Sequence, residues 1–158
     1  MGQLTDSNLV VGYTTQDHLL LDLDNVSLWK ATKIALMIER DYPETGMGLI
    51  ARSSPNHYHV IFDNKMPWPW IVKIIETLCD LGIVEKNYAF VRTFRRDLTL
   101  RISDKKGVDR HRPTPSPVRF IDYWGYEDPR YGILKYLRML GMFNKIDQMT
   151  EFYERLNG

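Results

Sequence analysis

Hydrophobic and polar residues recur along the chain with two periods, which divide it into predicted strands and helices. Alternation of period two predicts strands at 9–13, 18–24, 47–53, 57–63, 88–94, 97–103 and 118–123. Helical spacing predicts helices over 28–38 and 71–78, and two more between about 130 and 156 that are broken at Gly141–Asn144. Antiparallel hairpins with helices on one face of the sheet favour an α+β fold of the RNA-recognition-motif type, with added C-terminal helices.

Turn-forming residues mark the ends of several of these elements. Ser54-Pro55-Asn56 predicts a hairpin between two strands. Pro67 and Pro69 lie where the second helix should begin, and Gly82 is placed to cap its end. The polar, proline-containing segment 104–116 is predicted to be a loop.

The size and composition of the chain predict one globular domain. We expect it to span 1–158, with a sheet core at 1–123 and a helical segment at 124–158. Hydrophobic residues make up 44% and charged residues 26%, as in soluble globular proteins. We find no signal peptide and no apolar run near the roughly 20 residues of a membrane span, so we expect a cytoplasmic protein with no membrane partner. The single cysteine, Cys79, excludes an intramolecular disulfide and a cysteine-cluster zinc site.

Charge is balanced over the whole chain but concentrated in one segment. The formal net charge is only +1, which argues against a broad phosphate-tracking surface. Between Arg92 and Arg112, however, eight Arg or Lys residues stand against three Asp residues, a local net charge of +5. Such a run is often a solvated surface, but a basic loop also suits nucleic acid. We therefore expect Arg110 and Arg112 to contact the phosphates of a single-stranded DNA template.

Three of the predicted strands carry their polar residues on one face. Asp22 and Asp24 share a face of the strand that begins at His18, His59 lies on the polar face of the next hairpin, and Asp97 and Arg101 share a face of a third strand. If the three strands are neighbours, these side chains converge on one open sheet surface. Three close carboxylates repel one another unless a cation lies between them, and carboxylate oxygens suit Mg²⁺ or Mn²⁺.

Each of these features has a structural explanation when it is taken singly. An Asp-x-Asp at a strand end is common, and a histidine on a half-exposed strand is usually a polar surface residue. The three faces together favour a metal site for nucleotidyl transfer, in which bound ions activate a hydroxyl and stabilise the leaving phosphate oxygen. His59 and Arg101 would then be donors to triphosphate oxygens.

Three segments resemble the motifs of the archaeo-eukaryotic primase superfamily, which includes plasmid and viral primase-polymerases. Leu20–Asp24 is similar to its Asp-x-Asp strand, Arg52–Val60 to its motif with a histidine in a strand after a tight turn, and Asp97–Lys105 to its aspartate followed by an arginine-bearing strand. The order and spacing agree across residues 18–106.

The resemblance implies nucleotidyl transfer in DNA replication or repair, by priming or strand extension from nucleoside triphosphates on single-stranded DNA. The aspartates that would bind Mg²⁺ or Mn²⁺ and carry the catalysis are Asp22, Asp24 and Asp97. The residues that would bind the nucleotide are Arg52, Ser54, His59, Arg101 and Lys105.

The chain also departs from the family pattern. Pro55-Asn56-His57 replaces the usual glycine-rich turn, and Ser103-Asp104 replaces a common Pro-Gly. These departures leave open a minimal catalytic core, a degenerate relative, or a subunit that works with a helicase or another replication protein.

Two other functions compete with this interpretation. His57-Tyr58-His59 also fits the His-hydrophobe-His motif of rolling-circle initiators and relaxases, which bind one metal through two histidines and attack DNA with a tyrosine on a later helix. The tyrosines of the predicted C-terminal helix are Tyr131 and Tyr136. A non-catalytic nucleic-acid-binding sheet is the third alternative, although such sheets usually expose aromatic residues and the predicted carboxylate faces carry none.

Overall fold

A computed structural model of the chain describes residues 12–85, 97–102, 105–106, 111–112, 114–125, 128–142 and 146–157, with backbone alone at 105–106, 111–112 and 146–150. Its strands are β1 (Gly12–Thr15), β2 (Leu20–Asp24), β3 (Gly48–Ser54), β4 (His57–Phe62), β5 (Leu98–Arg101), β6 (Lys105–Lys106), β7 (His111–Arg112) and β8 (Ser116–Ile121). Its helices are α1 (Leu28–Asp41), α2 (Trp68–Asp80), α3 (Gly132–Met139) and α4 (Ile146–Asn157), with a 3₁₀ turn at Pro43–Thr45.

The described strands form antiparallel sheets. The central sheet has the order β2-β4-β3-β8, while β1 pairs with β5 and β6 with β7. The predicted α+β class is confirmed, and its likeness to the RNA-recognition motif stays a prediction. The strand predicted at 88–94 lies outside the described residues. The loop predicted at 104–116 is wrong in part, because it contains the short ladder of β6 and β7.

Helix α1 forms for reasons that are visible in the sequence. Ala31, Ile34, Ala35 and Ile38 recur at helical spacing and are buried against the sheet. Ser27 caps the N-terminus by accepting a hydrogen bond at 3.1 Å from the backbone N–H of Lys30. The predicted helix is therefore confirmed, and it ends at Asp41, before Pro43.

Helix α2 and the β3–β4 hairpin also follow their local sequence signals. Gly82 adopts a positive φ of 74° after α2, and the N–H of Ile83 donates to the carbonyl oxygen of Leu78 at 2.9 Å, which closes the helix end. In the hairpin turn, Asn56 has a φ of 62°, a conformation that asparagine tolerates better than most residues.

The C-terminal segment covers the sheet face that the sequence predicts to be open. Phe62 of β4 and its ladder partner Gly48 lie on the sheet face that α1 covers, where the Glu39 carboxylate is near Gly48. His59 has the opposite parity in β4, so it lies on the other face of the sheet, where it contacts Tyr136 of α3. The expectation of helices on one face with an open polar face opposite is therefore wrong for this part of the sheet. Tyr136, Ile133 and Leu137 give α3 an apolar stripe, and burial of that stripe drives the packing.

Asp63 fixes the start of α3 against the end of β4. Its buried carboxylate accepts hydrogen bonds from the backbone N–H groups of Arg130, Tyr131 and Ile133 at 2.8, 2.9 and 3.1 Å. A carboxylate at a helix N-terminus satisfies free N–H groups and opposes the positive end of the helix dipole. Asp63 therefore has a structural role at the junction of β4 and α3.

A glycine allows α3 to approach the sheet closely. A Cβ at Gly132 would lie 2.7 Å from Nδ1 of His18 and 3.0 Å from the carbonyl oxygen of Phe62, too close for any other residue without movement. His18 is itself buried at this contact.

A buried glutamate links α1 to the segment after β8. Oε1 of Glu39 accepts a hydrogen bond at 3.1 Å from the backbone N–H of Tyr123, and its carbonyl oxygen accepts one at 2.6 Å from Nε1 of Trp124. Oε2 is buried, and among the described residues it has no hydrogen-bond partner. Burial raises the pKa of the Glu39 carboxyl to about 8.

None of the described helices has the length and apolar character that a membrane crossing requires.

Candidate active site

The antiparallel ladder between β2 and β4 brings two aspartates and two histidines together. Asp22 lies directly across from His59, and Asp24 lies directly across from His57. Partners in an antiparallel ladder point to the same face, so all four side chains project from one side of the sheet. The sequence predicted this common face, and the register confirms it.

The outer pair, Asp24 and His57, lies at the strand ends and meets solvent. Nδ1 of His57 is 2.7 Å from Oδ1 of Asp24, a short hydrogen bond that becomes an ion pair when the imidazole is protonated. The Asp24 side chain is 50% exposed and that of His57 is 23% exposed. The pair is therefore ordered by a bond and still reachable by a ligand.

The inner pair, Asp22 and His59, is asymmetric. The Asp22 side chain is 45% exposed, whereas that of His59 is only 3% exposed, which corrects the expectation of an outward histidine. Nδ1 of His59 lies 3.3 Å from the Tyr136 hydroxyl, and Nε2 lies 3.9 Å from Oδ1 of Asp22. Burial, aided by the charge of Arg101, lowers the pKa of His59 to about 3, so its imidazole is neutral at physiological pH.

Arg101 reaches the site from β5. Its guanidinium donates a hydrogen bond at 3.1 Å to the backbone carbonyl oxygen of Ser53 at the end of β3. Its charge adds to the effect of burial in lowering the pKa of His59. At Tyr136 the same charge opposes burial, which raises the pKa of the hydroxyl. The sequence predicted Arg101 beside His59, and the structure places the two close together.

Asp97 immediately precedes β5 and is only half-buried. Its Oδ1 is buried, and no hydrogen-bond partner for it is found in the described part of the chain. Among the described residues no three His, Cys, Asp or Glu side chains lie close enough to hold one metal ion. The predicted cluster of Asp22, Asp24 and Asp97 is therefore not assembled in the structure.

The predicted phosphate-binding residues are dispersed. Ser54 lies across from His57 at a register shift in β3, so it belongs to the exposed end of the site. Arg52 lies across from Tyr58, which places it on the opposite face from His59 and separates it from the site, contrary to the prediction. The backbones of Lys105 and Arg112 are paired across β6 and β7, and Arg110 lies outside the described residues.

The two exposed aspartates open onto a cavity of about 490 Å³. Its wall includes Cys79 and Ile83, from the end of α2 and the turn after it, and a third carboxylate, Glu85. Asn25, with a φ of 58°, turns the chain away from β2 and forms another part of the wall. Sequence reasoning missed Glu85 and Asn25, because neither lies in a recognisable pattern.

The two tyrosines of the nuclease alternative have different environments. Tyr136 is fully buried, and burial raises the pKa of its hydroxyl. Tyr131 is 51% exposed and lies at the N-terminus of α3, where its backbone N–H is bound by Asp63. Tyr136 is therefore the tyrosine near the histidines, and it is the one that solvent does not reach.

No family model, curated protein or solved structure matches the chain.

Proposed function

We propose that the protein is a metal-dependent nucleotidyltransferase that starts or extends a strand from nucleoside triphosphates on a single-stranded DNA template, in the manner of primase-polymerases. The observation that carries the proposal is the exposed pair Asp22 and Asp24, fixed on one face of β2 at the edge of a cavity. Solvent-facing carboxylates at a cavity mouth suit a divalent cation and the phosphates that it binds.

The residues present fit a divalent metal through Asp22 and Asp24. Their oxygens are the hard ligands that Mg²⁺ or Mn²⁺ prefers, and two such carboxylates with substrate phosphates are a common arrangement for Mg²⁺. When bound, the ion would supply activation of the attacking hydroxyl and neutralisation of charge on the triphosphate. Oδ1 of Asp97 is buried and has no hydrogen-bond partner among the described residues, but Asp97 is not grouped with Asp22 and Asp24.

In this proposal the hydrogen-bond donor to the triphosphate oxygens is His57 rather than His59. His59 is buried and bonded to Tyr136, whereas His57 is accessible and held by Asp24. A protonated imidazole beside the triphosphate would donate a charge-assisted hydrogen bond. Ser54, across from His57 in the ladder, would contribute a hydroxyl at the same end.

The burial of Tyr136 argues against the nuclease alternative. A tyrosine nucleophile must reach a phosphodiester and lose its proton, and burial opposes both by excluding solvent and raising the hydroxyl pKa. Tyr13 and Tyr136 are both buried, so neither ring is exposed for base stacking at this site. Their burial argues against the alternative of a non-catalytic nucleic-acid-binding sheet, which would expose aromatic rings.

The test is a strand-extension assay with labelled single-stranded DNA, nucleoside triphosphates and Mn²⁺, resolved on denaturing gels. We expect extended or newly made strands from the wild type, and a loss of at least a hundredfold in Asp22→Asn/Asp24→Asn, a scale of about 3 kcal/mol in transition-state stabilisation. Mn²⁺ titration should show weakened metal binding in the same variant. Asp41→Asn, an exposed aspartate at the end of α1, is the matched control.

The same gels separate the alternatives. Label that stays on the protein and disappears in Tyr136→Phe would assign the nuclease mechanism, because a tyrosine nucleophile forms a covalent adduct. Equal metal affinity in the wild type and in Asp22→Asn/Asp24→Asn would refute the proposed metal site.

A further inference from the structure

A second and larger cavity begins at the carboxylate site and follows helix α1. It has a volume of about 980 Å³, and we name it the α1 groove. Asp24, Asn25 and Ile83 line both the α1 groove and the smaller cavity beside Asp22. The two spaces therefore share a wall at the end of β2, where the exposed carboxylates lie.

The α1 groove carries an exposed aromatic ring beside an ammonium group. Trp29 is 69% exposed, the highest value among the large hydrophobic side chains that the structure describes. Nζ of Lys33 lies 5.6 Å from the centroid of its ring, within the range of a cation–π interaction. The flat face of an exposed indole offers stacking area to a nucleobase.

The cations of the groove form a stripe along α1. Lys30, Lys33 and Arg40 are separated by three and seven residues, a spacing that places them along one side of a helix, and all three are exposed. Arg40 is bonded to Asp41 at 2.8 Å, but the two lysines form no ion pair with another described residue. Among the described residues that line the groove, Asp24 is the single acidic one, so this part of the wall is positively charged away from the carboxylate site.

Exposed apolar side chains also line the groove. Leu81 is 60% exposed at the end of α2, and Tyr123 supplies a second exposed ring near Arg40. Phosphate-binding cations that alternate with exposed rings are the combination by which proteins hold single-stranded nucleic acid. A peptide or a second copy of the chain would gain less from the lysine stripe.

We propose that the α1 groove binds single-stranded DNA, with a base stacked on Trp29 and phosphates bound by Lys30 and Lys33. The strand then leads from Tyr123 along α1 to the carboxylates at Asp24. Its role as the template path rests on the proposed function, whereas the binding itself does not.

The test is fluorescence anisotropy with a labelled oligothymidylate of about 15 nucleotides, without metal or triphosphate. We expect Trp29→Ala to weaken binding about tenfold, the scale of one lost stacking contact, and Trp29→Tyr to recover most of it. Lys30→Gln/Lys33→Gln should reduce the slope of log affinity against log salt by roughly 1.4, because each phosphate contact on a single strand contributes about 0.7.

The matched controls are Trp70→Ala and Lys73→Gln on α2. Trp70 is also exposed, and Nζ of Lys73 lies 5.8 Å from its ring, but neither residue lines the groove. Both control variants should bind DNA like the wild type. Equal losses in Trp29→Ala and Trp70→Ala, or no binding by the wild type, would overturn the inference.

Two further outcomes separate this inference from the proposed function. Asp22→Asn, outside the groove, should retain DNA binding even if strand extension is lost, so a failure of catalysis leaves the groove assignment standing. Self-association of the wild type that disappears in Trp29→Ala, without DNA binding, would assign the groove to a second copy of the chain and refute the proposal.

Discussion

His57 and His59 lie two residues apart on one face of one strand, yet they have opposite chemical properties. His57 is accessible and bonded to the exposed carboxylate of Asp24, while His59 is buried beneath Tyr136 with its pKa lowered to about 3. The strand and its alternation are the same for both residues. The difference arises from α3, which covers β4 only beyond His57, so a helix distant in sequence decides which histidine remains available to a ligand.

The largest expected effect is the removal of the tyrosine that buries His59. Tyr136→Ala should lower the free energy of unfolding by about 3–5 kcal/mol, because it leaves a cavity in the core and deprives His59 of its hydroxyl partner. Urea denaturation measures the change. Tyr131→Ala, at the exposed start of α3, is the control and should cost at most about 1 kcal/mol. Similar losses in both variants would contradict the buried contact between α3 and β4.

The acid side of the stability profile tests the buried state of His59 directly. Between the ordinary pKa of 6.5 and the folded value of about 3, the unfolded chain binds a proton at this residue that the folded chain does not. Stability should therefore fall as pH is lowered through this window, by about 2 kcal/mol between pH 6 and pH 4.5. His59→Gln should remove this part of the slope, as measured by denaturation at each pH. An identical acid slope in the variant would show that His59 does not resist protonation.

Glu39 extends the comparison to a buried acid on the other face of the sheet. Its folded pKa of about 8 exceeds the ordinary 4.5, so stability should be full below about pH 4.5 and should decline as pH rises towards 8. Glu39→Gln retains an acceptor for the Tyr123 N–H and carries no charge. Above pH 8 the variant should be more stable than the wild type by about 1–2 kcal/mol in thermal or urea denaturation. A variant that is less stable at every pH would indicate that the carboxylate is satisfied in its charged form.

The smallest expected effect concerns the exposed pair. A double-mutant cycle with Asp24→Asn and His57→Gln should give a coupling free energy of less than about 1 kcal/mol, because solvent screens an exposed ion pair. The measurement is again urea denaturation, at neutral pH and at two salt concentrations. A coupling as large as the effect of Tyr136→Ala would mean that the outer pair supports the fold rather than a ligand.

Local elements were predictable because their causes lie within a few residues. The helical spacing of Ala31, Ile34 and Ile38, the cap at Ser27 and the turn at Gly82 each act through neighbouring backbone groups. The common face of Asp22 and Asp24 follows in the same way from the pleat of a strand. These features do not depend on how distant segments pack.

The site was predictable only in part, because its completion depends on long-range packing. Neither the burial of His59 by Tyr136 nor the closure of the sheet face by α3 has a signal near β4 in the sequence. That Asp97 is not grouped with Asp22 and Asp24 depends on how β5, paired with β1, packs beside β2, which adjacent residues do not specify.

The sequence by itself determined most of the strands and helices, the α+β class and the common face of Asp22 and Asp24 on β2. The tertiary structure alone decided which of those residues meet solvent and which are buried. The physical reason is that period and turn chemistry act over a few residues, whereas burial depends on which apolar stripe covers a face. Here that stripe belongs to α3, held in place by the bonds of its first N–H groups to Asp63 and by the lack of a side chain at Gly132.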